Sequence, residues 1–294
     1  VSESPGSAPA ELIEIAAGPF AMGSDSPRAH PADGEGPVRT VTLSAYRISP
    51  TAVTNAEFAA FVDATGYRTE AEGFGWSYVF GGMVAPDAVI MDAGVPGAPW
   101  WRAVRGADWA HPEGGRSGIG DRLDHPVVQV SWHDAQAYCR WRGVRLPTEA
   151  EWEKAARGGL VGAAYAWGDE VSPGGEHRAN IWQGTFPEIN TAEDGYAGTA
   201  PVTAYPPNGY GLHNTAGNVW EWCADWFSAR WHVQDIEQTR VDPQGPRWGM
   251  ARVVRGGSYL CHSSYCNRYR VAARTQTTPD SALGHTGFRV AADA

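Results

Sequence analysis

The stretch "VVRGGSYLCHSSYCNRYRVAARTQTTPDS" (residues 253–281) holds two of the four cysteines of this 294-residue chain, Cys261 and Cys266. Ser258, His262 and several arginines stand beside them. Side chains five residues apart face opposite ways on a strand and stand about 140° apart on a helix. The two sulfurs therefore converge only if the backbone bends between them, as His262-Ser263-Ser264 permits. From the residues alone the pair reads as two unrelated buried thiols, as a disulfide or redox pair, or as a metal site. Zinc would need two further ligands, and no second Cys or His pair stands at finger-like spacing. Soft thiolates with few companions favour Cu(I) instead. Arg255, Arg268 and Arg270 are expected to lower the thiol pKa values. Ser258 reads as a turn hydroxyl, and His262 as a hydrogen-bonded or solvated residue.

Around this stretch the composition is ordinary in hydrophobic share (43%) but rich in breakers and indoles, with 36 glycines, 21 prolines and 14 tryptophans. So much Gly and Pro predicts many turns and loops on an aromatic-rich scaffold. A net charge of −10 argues against a nucleic-acid binder, which needs a basic face, and leaves room for a cationic peptide. No apolar run approaches a membrane span. Residues 1–10 read as a disordered tail, and the length lies between one large domain and two ordinary ones. Four cysteines in this length make no disulfide framework.

Three capping boxes announce helices: Thr54 with Glu57, Ser131 with Asp134 and Thr148 with Glu151, ending near Gly66, Gly143 and Gly158-Gly159. Strands are expected near Leu12–Ile15, after the Gly18-Pro19 turn, over 38–49, over 252–259 and over 287–292. Residues 24–37 read as a polar loop. Residues 68–125, with Trp100, Trp101 and Trp109, and residues 160–250 read as irregular, and stretches that long are usually functional. The chain is an irregular α+β protein, neither doubly wound nor a barrel. It has no Gly-x-Ser-x-Gly elbow and no phosphate loop, which removes the serine-triad and nucleotide readings. In "NTAGNVWEWCADWF" (214–227), Asn214 and Glu221 are hard oxygen donors that could contribute to Ca²⁺. A polar turn leading into an aromatic core segment is the plainer reading there. "NIWQGTFPEINTAEDGY" (180–196) is similar, with Asn180 and Asp194 too far apart for an EF-hand loop.

Taken together, "GPFAMGSD" (18–25), residues 125–159, "PPNGYGLHNTAGNVWEW" (206–222), the double-cysteine stretch and "GFRV" (287–290) resemble the formylglycine-generating enzymes, or sulfatase-modifying factors. The match runs in order from about residue 11 to 292. The resemblance implies a single domain over 11–294 with the α+β formylglycine-generating variant of the C-type-lectin-like fold, low in regular secondary structure. It also implies an oxidase that uses O₂ to convert the Cys of a Cys-x-Pro-x-Arg motif in unfolded sulfatases to Cα-formylglycine. Cys261 and Cys266 would hold Cu(I), with Ser258 and Trp220 beside the O₂ pocket and an external thiol as reductant.

By the same resemblance, Asn180, Ile181, Asp194 and Tyr196 would form one structural Ca²⁺ site. Asn214, Gly217, Val219 and Glu221 would form a second. The secretory branch of the family uses disulfides, but Ala156, Val271 and Val290 fill three of the four matching positions and leave Cys139 without a partner. That fits a bacterial cytoplasm. A monomer is expected. The substrate arginine is expected to meet an acidic groove around 68–125. Two other classes compete: an iron-dependent sulfoxide synthase of thiohistidine biosynthesis, which would need an N-terminal helical domain, and a non-catalytic binding module, which would lack the cysteine pair.

Overall fold

The computed structural model describes residues 11–92 and 94–294, so the tail expected over 1–10 lies outside the described residues. The chain runs through β1 (Ile13–Ile15), β2 (Gly18–Met22), β3 (Arg39–Leu43), β4 (Tyr46–Ile48), α1 (Asn55–Thr65) and α2 (Glu70–Phe74). It continues with β5 (Trp76–Phe80), β6 (Trp101–Arg105), α3 (Trp132–Arg142), α4 (Glu149–Arg157), β7 (Gly184–Thr185) and β8 (Ile189–Asn190). The last elements are β9 (Trp220–Trp226), α5 (Glu237–Arg240), β10 (Arg252–Arg255), β11 (Arg274–Thr277), β12 (Thr286–Gly287) and β13 (Ala291–Asp293).

All three expected capping boxes form, each with side chain and backbone satisfied reciprocally. Each of these helices ends on a left-handed glycine: Gly66, Gly143 or Gly158. A fourth box, Thr69 with Glu72, opens α2 inside the stretch read as irregular. That stretch also contains the β5–β6 hairpin. No helix among the described residues is long and apolar enough to cross a membrane.

The single strand expected over 38–49 is two. β3 pairs with β2, while β4 lies between β1 and β13. The break falls at Ser44, whose amide and hydroxyl both donate to Asp242 at 2.7 Å. The strand expected over 252–259 stops at Arg255, because Gly256 and Gly257 adopt φ of +93° and +74°. The run 287–292 divides between β12 and β13.

The four-stranded sheet has the order β11-β10-β9-β12, with β12 parallel to β9 and the other pairs antiparallel. Its registers bring Trp220, Arg255, Arg274 and Thr286 to one end. β9 was not foreseen because a strand buried along most of its length shows no apolar–polar alternation, and β11 because its sequence Arg-Thr-Gln-Thr has no apolar residue to alternate. One core cluster packs Phe58 and Phe61 of α1 with Tyr138 of α3, Trp222 of β9 and Phe288.

Helix α4 is buried at every position, acids and bases included. Such charges must be paired. Glu149 receives both Arg274 (2.6 and 2.7 Å) and Arg255, and Glu153 receives Arg157 and Arg255. Burial alone would raise the Glu153 carboxyl, but Arg157 and Arg255 hold it down at about 2.

Candidate active site

Trp220, Val254, Thr275 and Thr286 of the four-stranded sheet line a cavity of about 240 Å³. Ser258, Cys261, Cys266 and Trp220 all line it, together with Trp100, Trp101, Tyr265, Arg268 and His285. The bend between the cysteines is a turn in which the Cys266 amide donates to the His262 carbonyl at 2.7 Å. Upstream, the Cys261 amide donates to the Ser258 carbonyl at 2.9 Å. Both thiols are buried and free, and they are hydrogen-bonded to each other. Cys139 and Cys223 are also free and buried.

The two sulfurs differ electrostatically. Burial, and donation of its proton to Cys266, push the Cys261 thiol up. Accepting that hydrogen bond, with Arg268 facing it, brings Cys266 down despite its burial. Of the three arginines expected to act on the thiols, only Arg268 faces the pair. Arg255 is committed to Glu149 and Glu153, and Arg270 to Glu35 at 2.5 and 2.7 Å, because fully buried guanidiniums need carboxylates of their own. Arg268 is oriented by Asp33, which accepts from its Nε at 2.6 Å. The loop 24–37, which reads as merely polar, thus braces the thiol segment through two acids.

Sequence reasoning set Arg268 near the thiols but did not place Tyr265 or His285 on this wall. Tyr265 stacks on Phe186 at 4.4 Å and meets Trp100 edge-on at 4.9 Å. The density of indoles near residue 100 was the available signal. Trp109, from the same stretch, belongs to the core instead. Arg268 is the one ionised side chain among the cavity's described lining residues, so the acidic groove expected for a substrate arginine does not lie here. A larger cavity of about 520 Å³, lined by Arg145, Glu151, Asp242 and Asp293, holds no thiol.

The residues expected to hold calcium lie in two adjoining segments. Asn180 and Gly217 form an isolated bridge, and the Asn218 amide donates to the Asn180 carbonyl at 2.8 Å. A Cβ at Gly217 would overlap that carbonyl oxygen. Asn180 Oδ1 and Asn214 Oδ1 are buried and have no hydrogen-bond partner. Such orphaned oxygens, with the buried carboxylate of Asp194, suit a hard cation. Asp194 accepts from the amides of Ile181 (2.9 Å) and Tyr196 (3.1 Å), and burial pushes its carboxyl up. Val219 is buried beside Trp220. Glu221 is differently placed: its Oε2 accepts from Trp152 Nε1 and Arg289 Nε, both at 2.6 Å, and its Oε1 from Arg289 Nη2 at 2.8 Å. One lone pair, on Oε1, is left for anything else.

The chain matches the family model "Sulfatase-modifying factor enzyme 1-like domain" over residues 1–294. It is 64% identical over 282 residues to the formylglycine-generating enzyme of Thermomonospora curvata, covering 96% of this chain and 93% of that protein. It is 62% identical over 283 residues to the formylglycine-generating enzyme of Streptomyces coelicolor, covering 96% and 89%. Among solved structures, PvdO from Pseudomonas aeruginosa superposes over 100% of both chains with a TM-score of 0.71 at 24% identity, a likeness of fold. The architecture is the single-domain α+β formylglycine-generating variant of the C-type-lectin-like fold. Matched from end to end, with its two neighbouring thiols on one cavity wall, this chain belongs to the sulfatase-modifying factor family.

Proposed function

We propose that this protein is a copper-dependent oxidase that uses O₂ to convert the cysteine of a Cys-x-Pro-x-Arg sulfatase motif to Cα-formylglycine. The observation that carries this reading is the pair of buried, mutually hydrogen-bonded thiols on the wall of a cavity with room for another side chain. Two relatives above 60% identity carry the name of that activity. The donor set suits the metal, since the wall offers two soft sulfurs and no carboxylate. Cys261 and Cys266 would hold Cu(I), which when bound supplies a soft partner for the substrate sulfur and electrons for dioxygen.

The protein's own groups do the positioning. Arg268 faces Cys266 and favours its thiolate, while Cys261 keeps the proton that the pair shares. The Ser258 carbonyl accepts from the Cys261 amide, and Ser258 and Trp220, which line the same cavity, would border the space that takes O₂. Burial keeps bulk water from this space. Overall, the substrate CH₂–SH loses two electrons and two protons to become a thioaldehyde, and water releases hydrogen sulfide to leave the aldehyde. Those two electrons, with two more from an external thiol pair, reduce one O₂ to two waters.

The substrate is an unfolded sulfatase segment, because only an extended chain can bring its cysteine inside. Asn180, Ile181, Asp194 and Tyr196, and Asn214, Gly217, Val219 and Glu221, are proposed to hold structural Ca²⁺. The four free thiols suit a bacterial cytoplasm and a monomer without disulfides. The test is incubation of copper-loaded protein with a Cys-x-Pro-x-Arg peptide, air and a thiol, with the aldehyde captured by a hydrazide and weighed by mass spectrometry. Peptide that binds but never yields an aldehyde would leave a binding module instead.

A further inference from the structure

His285 stands on the wall of the thiol cavity, at the head of β12. Its backbone is locked on several sides. Its carbonyl accepts from the Trp220 amide at 2.9 Å, and the next residue, Thr286, pairs with Trp220 across the sheet. The preceding Gly284 donates to the Tyr78 carbonyl and accepts from the Tyr259 hydroxyl at 3.0 Å. The imidazole lies 4.6 Å from the Trp101 ring, tilted by 43°. Yet its Nδ1 is buried with no hydrogen-bond partner. A buried polar atom without a partner costs about 1–3 kcal/mol, a cost that a turn of the ring toward the cavity and a partner seated there would remove together.

We propose that His285 is a substrate-positioning residue that hydrogen-bonds a backbone amide of the peptide beside its reacting cysteine. The inference rests on the peptide-oxidase reading above. No carboxylate lies near the ring, and burial alone keeps it neutral, with its pKa lowered to about 3. A neutral imidazole carries one donor and one acceptor, the complement of a peptide unit, and its polarity is the same across the working pH range. A half-turn about χ2 exchanges Nδ1 with Cδ2 while the ring keeps its plane against Trp101.

The test uses His285→Phe, which keeps a ring against Trp101 but removes both nitrogens, and His285→Asn, which restores an amide donor and acceptor. Binding to copper-free protein with calcium present is read by tryptophan fluorescence with a Cys→Ser peptide, which occupies the cavity without turnover. Loss of one hydrogen bond should weaken binding of His285→Phe about tenfold, with His285→Asn recovering most of it. In the copper-loaded protein kcat/KM should fall by a similar factor, chiefly through KM. His285→Phe should also melt at a higher temperature than the parent, because it removes an orphaned polar atom. A histidine kept only for structure would give the reverse. Parent-like peptide affinity in His285→Phe overturns the assignment. Failure of the parent itself to bind peptide instead removes the peptide reading, and the anchor with it.

Discussion

The backbone amide of Trp182 donates to the carbonyl of Cys261 at 3.1 Å. Trp182 follows directly on Asn180 and Ile181, so the segment proposed to hold calcium is bonded to the loop that carries the thiols. A second set of ties does the same for the other segment: Gly217 donates to the Gly256 carbonyl at 2.8 Å, and Tyr259 donates to the Asn218 carbonyl at 2.9 Å. Order in the two asparagine segments therefore passes by main-chain bonds to both sides of Ser258.

From this follows the first expectation. Calcium that binds only the native state should raise the melting temperature, and a chelator should lower it. Amide hydrogen exchange over residues 256–266 should quicken on chelation, because the bonds from Trp182 and Gly217 lose their support. Superimposable melting curves with calcium and with chelator would count against both proposed sites.

Removing either sulfur should end copper binding and turnover together. The parent is expected to retain a single equivalent of Cu(I) against a chromophoric chelator, and Cys261→Ala and Cys266→Ala are each expected to lose it, since one remaining thiolate is no clamp. The measurement needs no substrate. A single-cysteine variant that competes as well as the parent would reject the pair as ligands.

The clamp on Glu221 predicts a large structural effect that does not depend on calcium. Replacing Glu221 by Gln leaves the fully buried Arg289 without its counter-charge, and breaking such a pair costs about 3–5 kcal/mol. Denaturant unfolding with chelator present should show this loss undiminished. A loss seen only when calcium is present would instead make Glu221 chiefly a calcium ligand.

Asp225 supplies a pH signature. Burial, and then the charge of Glu149, push its carboxyl up to about 8, although it accepts from the Glu149 amide at 2.7 Å. A raised folded-state pKa means that the native state holds a proton which the unfolded chain releases. The contribution is thus complete below about pH 4 and is lost as pH rises through about 8. Asp225→Asn should therefore flatten the fall in melting temperature between those limits. Parallel pH profiles for parent and variant would show that Asp225 titrates normally.

Much of this was legible locally. Thr54, Ser131 and Thr148, each three residues before an acid, marked helix starts because capping involves only neighbours in the chain. The cysteine spacing required a bend, and the order of motifs in the chain pointed to the family. What needed the tertiary structure was every relationship made across the chain. Asp33 meets Arg268, and Glu221 meets Arg289, over sequence separations of 235 and 68 residues. His285 lies beside Trp101 because residues 283–284 bond to Tyr78 of β5, the strand that pairs with β6. Which arginine faces a thiol was likewise decided by which guanidiniums other buried carboxylates had already taken: Glu149 and Glu153 of α4 hold Arg255, and Glu35 holds Arg270. Local pattern reports backbone preference, whereas charge pairing and cavity walls depend on which distant segments packing brings together.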